Sequence, residues 1–355
     1  MLDYIIVGQG LAGTLISFEL LKKGKKIAFI DNKFSASSSM VAAGIINPIT
    51  GRHFVKSWKT DDLYPVFIET YGQISKLIQK QIFFPKNVSV LFREVENLNN
   101  WLGRSAEQNL DGFHSTISDQ KKYQETFGIE LLDVVDFNLS GRCDLKGLLQ
   151  EWKRYLHSLK TPYLEEVFDF NTLNFNESKV QYKNLTAKKI IFCEGAGLVK
   201  NPYFNYLPLW PTKGEALIVE IPDYPFAKKM VKDGVFIIHL ENNQYWIGST
   251  YDKTFTDEDP SQVAYENLLD SLKKMLKIPF KVIDHIAAVR PNVRDRKPFL
   301  GQHPQFINLF IFNGLGAKGS SLGPYFAKQF CEFLEENREI EKDVDIKRIK
   351  IPKKS

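Results

Sequence analysis

Two glycine-rich turns and one arginine carry most of the chemistry that can be read from this 355-residue chain. The first turn is Gly8-Gln9-Gly10-Leu11-Ala12-Gly13, with Asp31, Asn32 and Lys33 downstream. In that order Gly8 permits a tight turn, Gly10 lets the backbone approach a pyrophosphate, and Gly13 allows a helix to lie close on a strand. Leu11 and Ala12 open that helix, whose free N–H groups and positive dipole end face the phosphates. Asp31 stands where a carboxylate accepts hydrogen bonds from both ribose hydroxyls, and it disfavours a 2′-phosphate. The ligand read from these residues alone is NAD or FAD.

The second turn, Asn313 to Gly323, repeats the geometry with Gly314, Gly316, Lys318, Gly319 and Ser320. Between the two lie Ser38 and Ser39, small residues suited to a phosphate-contacting loop, and Ala42-Ala43-Gly44, where backbone can lie against a flat ring. Cys193-Glu194-Gly195 offers another strand end at which backbone approaches a ligand. Arg290 carries a planar fork of N–H donors that matches a carboxylate. Its alternative role is a salt bridge, since Arg294, Asp295 and Arg296 crowd the same stretch. His53 follows the ring-facing loop and Tyr251 follows a strand, so each is a candidate for the site; both types are more often packing or surface groups.

These residues need elements to position them. Tyr4–Val7 and Ile27–Ile30 are apolar, β-branched runs flanking a helical stretch from Thr14 to Lys23, a βαβ unit. Helical spacing recurs at Asp61–Gln81, Val95–Leu110, Lys146–Leu159 and around Val263–Leu276. Strands are expected at Leu164–Phe170, Val180–Tyr182 and Lys189–Cys193, and at Leu309–Phe312 before a C-terminal helix. The runs Lys213–Glu220, Gly234–Leu240 and Gln244–Thr250 read as an antiparallel sheet. The expected fold is an α/β Rossmann-like nucleotide-binding domain, built from 1–85, 141–206 and 285–355. It is interleaved with an α+β substrate domain on an antiparallel sheet, from 86–140 and 207–284.

Composition is that of a globular protein, 43% hydrophobic with 27 phenylalanines to fill cores and flat-ligand pockets. Three widely spaced cysteines, Cys143, Cys193 and Cys331, suggest neither a disulfide framework nor a metal site. The first strand begins too early for a signal peptide and no apolar run is long enough to span a bilayer, so a cytoplasmic location is expected. The net charge of +5 is modest. Part of it lies in the basic run Lys347–Lys354, most often a solvated terminus, with a polyanion such as RNA as the alternative partner.

Taken together, the first turn, Asp31, Ser38-Ser39 with Ala42–Gly44, Cys193–Gly197, Val289-Arg290-Pro291 with Pro298–Gly301, and Asn313–Pro324 resemble the D-amino-acid oxidase superfamily of FAD enzymes. The resemblance spans nearly the whole chain. It implies noncovalent FAD, with Gly8–Gly13 and Asp31 on the adenosine half, Val167 against adenine, and Ser38 and Ser39 on the pyrophosphate side. Ala42–Gly44, Gly195 and Gly314–Ser320 border the flavin, Lys318 supports negative charge there, and Arg290 pairs with the substrate carboxylate. The implied reaction is oxidation of the C–N bond of a small amine or amino acid by hydride transfer to flavin N5, the imine then hydrolysing. Glu194 departs from the small residue usual at its position. Trp246 stands where some relatives place an oxygen-activating lysine, which leaves oxygen or another electron acceptor open. Two other readings stand beside this one: oxidative cleavage of a carboxymethylaminomethyl group on tRNA uridine, and a non-enzymatic dinucleotide-binding protein.

Overall fold

The computed structural model describes residues 1–32, 37–51, 53–108, 110–117, 120–128 and 131–350. Lys33, one of the expected cofactor contacts, lies outside them. The opening unit forms as expected: strand β1 (Leu2–Val7), helix α1 (Leu11–Lys22) and strand β2 (Ile27–Asp31). α1 begins at Leu11 rather than Thr14, because the turn passes directly into the helix at Gly10. β1 pairs in parallel with β2 on one side and with Leu185–Phe192 on the other. Its side chains alternate between two cores: Tyr4 and Ile6 join one, Ile5 and Val7 the other. A strand buried on both faces reads as a continuous apolar run, as Tyr4–Val7 does.

The first sheet runs Tyr163–Glu165, β2, β1, Leu185–Phe192, Val180–Tyr182, Leu173–Phe175. Leu309–Asn313 lies parallel to Leu185–Phe192 and brings Phe299–Gln302 with it. One core packs this sheet against α1, the amphipathic helix Leu145–Ser158 and the C-terminal helix Gly319–Glu336. The expected strand Leu164–Phe170 stops at Glu165. Its partner β2 ends at Asp31, opposite Glu165, and further on Asp169 accepts a hydrogen bond from Asn171 N at 3.0 Å, which starts a short 3₁₀ turn at Phe170–Thr172.

The second sheet orders eight strands as Lys281–Arg290, Thr212–Glu220, Gln244–Gly248, Val235–His239, Met230–Asp233, Val88–Phe92, Asp133–Phe137 and His114–Thr116. It is antiparallel except where Met230–Lys232 runs parallel to Val88–Val90, the join between its two sequence segments. Lys281–Arg290 pairs with Thr212–Glu220 along its length and so passes through the boundary expected at 285. A small sheet of Ile45–Ile46, Gly141–Cys143 and Phe83–Pro85 lies beside Gly44. There Cys143 N donates to Gly44 O at 2.8 Å, and a Cβ on Gly44 would sit 1.8 Å from Cys143 O. The basic C-terminal run is not wholly solvated: the Arg348 guanidinium stacks over Phe299 and donates to Lys297 O at 3.1 Å. Among the described residues, no helix is long and apolar enough to cross a membrane.

The turn at Gly8–Gly13 has no spare volume, since a Cβ on Gly13 would sit 2.0 Å from Gly8 O. Gly13→Ala is therefore expected to destabilise the protein by about 1–3 kcal/mol. Gly72, exposed and inside the helix Thr60–Ile78 with open space around it, provides the contrast: Gly72→Ala is expected to stabilise by about 0.5–1 kcal/mol. Chemical denaturation of the two variants checks both signs.

Candidate active site

A cavity of about 870 Å³ runs between the two sheets, at the upper end of the range for small-molecule and cofactor sites. The first sheet contributes Gly8, Gly10, Leu11, Ala12, Asp31, Asn32, Cys193 and Gly195. Ser38, Ser39, Ala42, Ala43, Gly44 and Val167 join them from the connecting segments, and Gly316, Gly319 and Ser320 from the second glycine turn. Arg290 comes from the second sheet. Residues far apart in sequence thus meet on one surface.

The first turn and Asp31 form one hydrogen-bonded unit. Gln9 N donates to Asp31 Oδ1 at 2.8 Å, and Gln9 Nε2 donates to Leu149 O at 3.0 Å. Tyr163 OH lies 3.0 Å from Gln9 Oε1 and 3.4 Å from Asp31 Oδ2, and its phenol is held far above the ordinary range by burial and by Asp31. Gly10, the N-cap of α1, has no side chain to cap the helix, so beyond Leu11 the first-turn N–H of Ala12 is left for a ligand. Ser39 Oγ accepts from Leu11 N at 3.1 Å, fixing the serine segment beside that helix start.

The second turn is tied to the strand end beside the first through Asn313, whose Nδ2 donates to Gly195 O at 3.1 Å while its Oδ1 accepts from Gly314 N at 2.7 Å. An uncapped helix N-terminus, a fixed carboxylate on the next strand and a cavity reaching a second glycine turn together fit FAD. Gly8 shows how tight the cradle is: a Cβ there would sit 2.6 Å from Cys193 O.

Five expected residues stand elsewhere than the cavity wall. Gly13 packs beneath Gly8, and Gly314, with φ +75°, packs against Val293 and Phe299. Lys318 is turned away, with Nζ donating to Thr50 Oγ1 at 3.1 Å and Ser57 Oγ at 3.0 Å. Burial, with Arg296 nearby, lowers its pKa. His53 is exposed on the hairpin formed by Ile49–Thr50 and Val55–Lys56. Tyr251 is 60% exposed beyond the cavity, with the Lys253 ammonium over its ring.

On the second sheet, Arg290 Nη1 and Nη2 both donate to Thr250 O at 3.3 Å. Nη2 also donates to Ser249 Oγ at 2.8 Å, and Nη1 reaches Lys213 O at 3.5 Å. Every one of these acceptors is neutral, and burial lowers the guanidinium pKa. Gly214 makes room for the group, since a Cβ there would sit 1.8 Å from Nη2. Ala216, Gly248 and Phe236 form a cross-strand row on the cavity face, and Trp246 closes it by donating to Val41 O at 3.2 Å. Gln9, Gly214 and Phe236 were not among the expected site residues. A glycine inside a strand signals close approach, which was the one available clue to Gly214.

The chain is similar to glycine oxidases. It is 27% identical to that of Bacillus subtilis (strain 168) over 154 residues, a stretch that covers 42% of each protein and so about two fifths of that relative's length. It is 25% identical to the glycine oxidase of Bacillus licheniformis over 356 residues, covering 94% of this chain and 92% of the relative. Among solved structures it superposes on glycine oxidase from Geobacillus kaustophilus with a TM-score of 0.81 at 20% identity, over 100% of this chain and 99% of the other. The iminodiacetate oxidase of Chelativorans sp. BNC1 gives 0.79 at 19% identity, over 98% and 99%. The family model described as FAD dependent oxidoreductase (DAO) matches residues 3–333, and with the FAD-shaped cradle already in place between the two glycine turns, the chain belongs to that family of FAD-dependent enzymes.

Proposed function

We propose that this protein oxidises the C–N bond of a small amine that carries a carboxylate, an amino acid or N-substituted amino acid, at the junction of the two sheets. The observation that supports this most is Arg290, a part-buried cation in the cavity wall whose hydrogen bonds all go to neutral oxygens. Burying a guanidinium without a counter-charge is costly, and a substrate carboxylate offsets that cost with a bidentate pair. The names of the relatives, glycine oxidase and iminodiacetate oxidase, are consistent with an amine next to a carboxylate.

In this reading Gly8–Ala12 and Asp31 hold the adenosine half of the cofactor, with Ser38 and Ser39 beside the pyrophosphate and Gly316–Ser320 at the flavin end. Bound FAD supplies the hydride acceptor. The chain's part is orientation: Arg290 fixes the carboxylate, and the row Ala216, Gly248 and Phe236 with Trp246 receives the rest of the molecule and excludes water. The amine enters neutral, and the imine it becomes is hydrolysed by water to an oxoacid or aldehyde and an amine. His53 and Tyr251 lie off the cavity wall and take no step. The second sheet is the substrate side of this division, with Lys281–Arg290 as its edge strand.

The test is anaerobic: the yellow protein is mixed with glycine, sarcosine, proline and D-amino acids in turn, and the flavin absorbance of one mixture is expected to bleach. A panel that leaves the flavin oxidised throughout, while treated tRNA loses carboxymethylaminomethyl-uridine by mass analysis, would transfer the chemistry to RNA. Arg290→Ala is expected to lower kcat/KM by roughly 100-fold or more, mainly through KM, because breaking a buried charge pair costs about 2–5 kcal/mol. Its FAD content should be unchanged. An unaltered KM removes Arg290 from the substrate. Gly214→Ala is expected to raise KM by about tenfold or more without touching residue 290, since its new methyl group displaces the guanidinium and small misplacements of a binding group are costly.

A further inference from the structure

We propose that Glu194 is a proton-binding member of the dinucleotide site: the cofactor binds with the Glu194 carboxyl neutral, so FAD is held less tightly as the medium becomes alkaline. This rests on the FAD site and not on the substrate reading, so the two fail separately.

The placement carries the argument. Glu194 lines the cavity immediately after Cys193. Its backbone abuts the first turn, with Glu194 Cα 3.5 Å from where a Gly8 Cβ would stand. That turn, with the uncapped start of α1, is the place at which a pyrophosphate dianion is received. A second negative charge set beside it opposes binding.

The surroundings of the carboxyl do not compensate for a charge. Oε2 accepts from Asn201 Nδ2 at 2.6 Å. Asn201 is fully buried, and its Oδ1 already accepts from Tyr203 N at 2.9 Å and Phe204 N at 3.1 Å. Its amide group is therefore the end turned to Glu194, a neutral donor. Among the described residues Glu194 forms no ion pair. The carboxyl acts on the buried Cys193 thiol of its own strand end, and Lys200 on the 3₁₀ turn Gly195–Lys200, Asp31 on β2 and Asn313 on the second turn line the same cavity. Asp31 has the same sign, Cys193 and Asn313 are neutral, and Lys200 is exposed along the turn. Burial pushes the carboxyl up to about 7, while the Asn201 hydrogen bond pulls it the other way.

The sign follows from linkage. Well below about 7 the carboxyl is neutral and the site has its full affinity. Bringing the pyrophosphate in raises the carboxyl pKa further, so between the free and bound pKa values each bound cofactor requires one proton to be taken up. In that window the FAD dissociation constant is expected to rise by about tenfold per pH unit. Above the bound pKa the loss levels off.

The experiment dilutes the holoprotein at pH 6 to 9, separates free from bound FAD by ultrafiltration, and derives the dissociation constant from the flavin absorbance of the filtrate. Wild type is expected to lose affinity above neutrality, and Glu194→Gln to hold FAD equally across the range with about the affinity of acidic wild type. Glu194→Ala is a second neutral variant, to be used where circular dichroism shows that the Gln form is misfolded. A flat wild-type profile, a profile that tightens with pH, or an unchanged slope in the neutral variants overturns the proposal.

Discussion

The structure depends on one close approach, the contact between the Gly8 turn and the backbone of the neighbouring strand end at Cys193. Cys193 N donates to Val7 O at 2.8 Å, and Gly8 then passes so near Cys193 O that no side chain fits between. Gly13 comes back onto Gly8 from the other side. This double approach lets α1 start at the surface of the cavity rather than a side chain's width behind it. Because Leu185–Phe192 also pairs with Leu309–Asn313, the same strand end fixes the second glycine turn through Asn313 and Gly195. The two glycine turns are therefore registered to each other by β-sheet pairing, not by loops.

The second sheet solves a different problem, that of keeping a cation in a largely apolar wall. Arg290 ends the long edge strand, and the bases of its cradle are backbone carbonyls at Lys213 and Thr250, which cannot neutralise it. Those carbonyls are held in turn: Thr250 N donates to Glu215 O, and Lys213 and Asp252 exchange backbone hydrogen bonds at 2.9 Å. The nearby carboxylate of Glu215 is diverted to Ser261, through N at 2.7 Å and Oγ at 2.8 Å, and to Lys213 and His285. An acid is thus present in the adjacent strand but is kept occupied on the far side. The guanidinium keeps its orientation without losing its charge to a protein partner.

What could be read from sequence follows the range of the interactions. Gly8–Asp31 was legible because its strand, turn, helix and acid are contiguous, and the periodic helices at 60–78, 95–107 and 145–158 lie within a few residues of expectation. Lys318 sits in a turn whose glycines were legible, but which way its side chain goes is decided by Thr50 and Ser57, over two hundred and fifty residues away. The strand expected to run to Phe170 looked continuous by composition, but it stops at Glu165, where its partner β2 ends at Asp31. Gly214 stood out only as a glycine within a strand, because its one-residue accommodation of Arg290 exists only once two strands are paired. Arg290 itself was singled out by resemblance, since guanidinium chemistry alone left a salt bridge equally open.

The charges around the cavity show how these two constructions differ. At Arg290 the wall offers a cation with no protein acid, a state that a carboxylate ligand relieves. At the first turn the wall offers acids: Asp31, whose Oδ1 is already engaged by Gln9 N, and Glu194, engaged by Asn201. In the proposed reading Asp31 accepts from ribose hydroxyls, so its negative charge would serve binding. Under the proposal made for Glu194, its charge would oppose a pyrophosphate at the adjoining turn, and a proton removes that opposition. The two carboxyl groups thus differ in what they meet: Asp31 accepts from the Gln9 N–H of the first turn, whereas Glu194 accepts from a neutral side-chain amide.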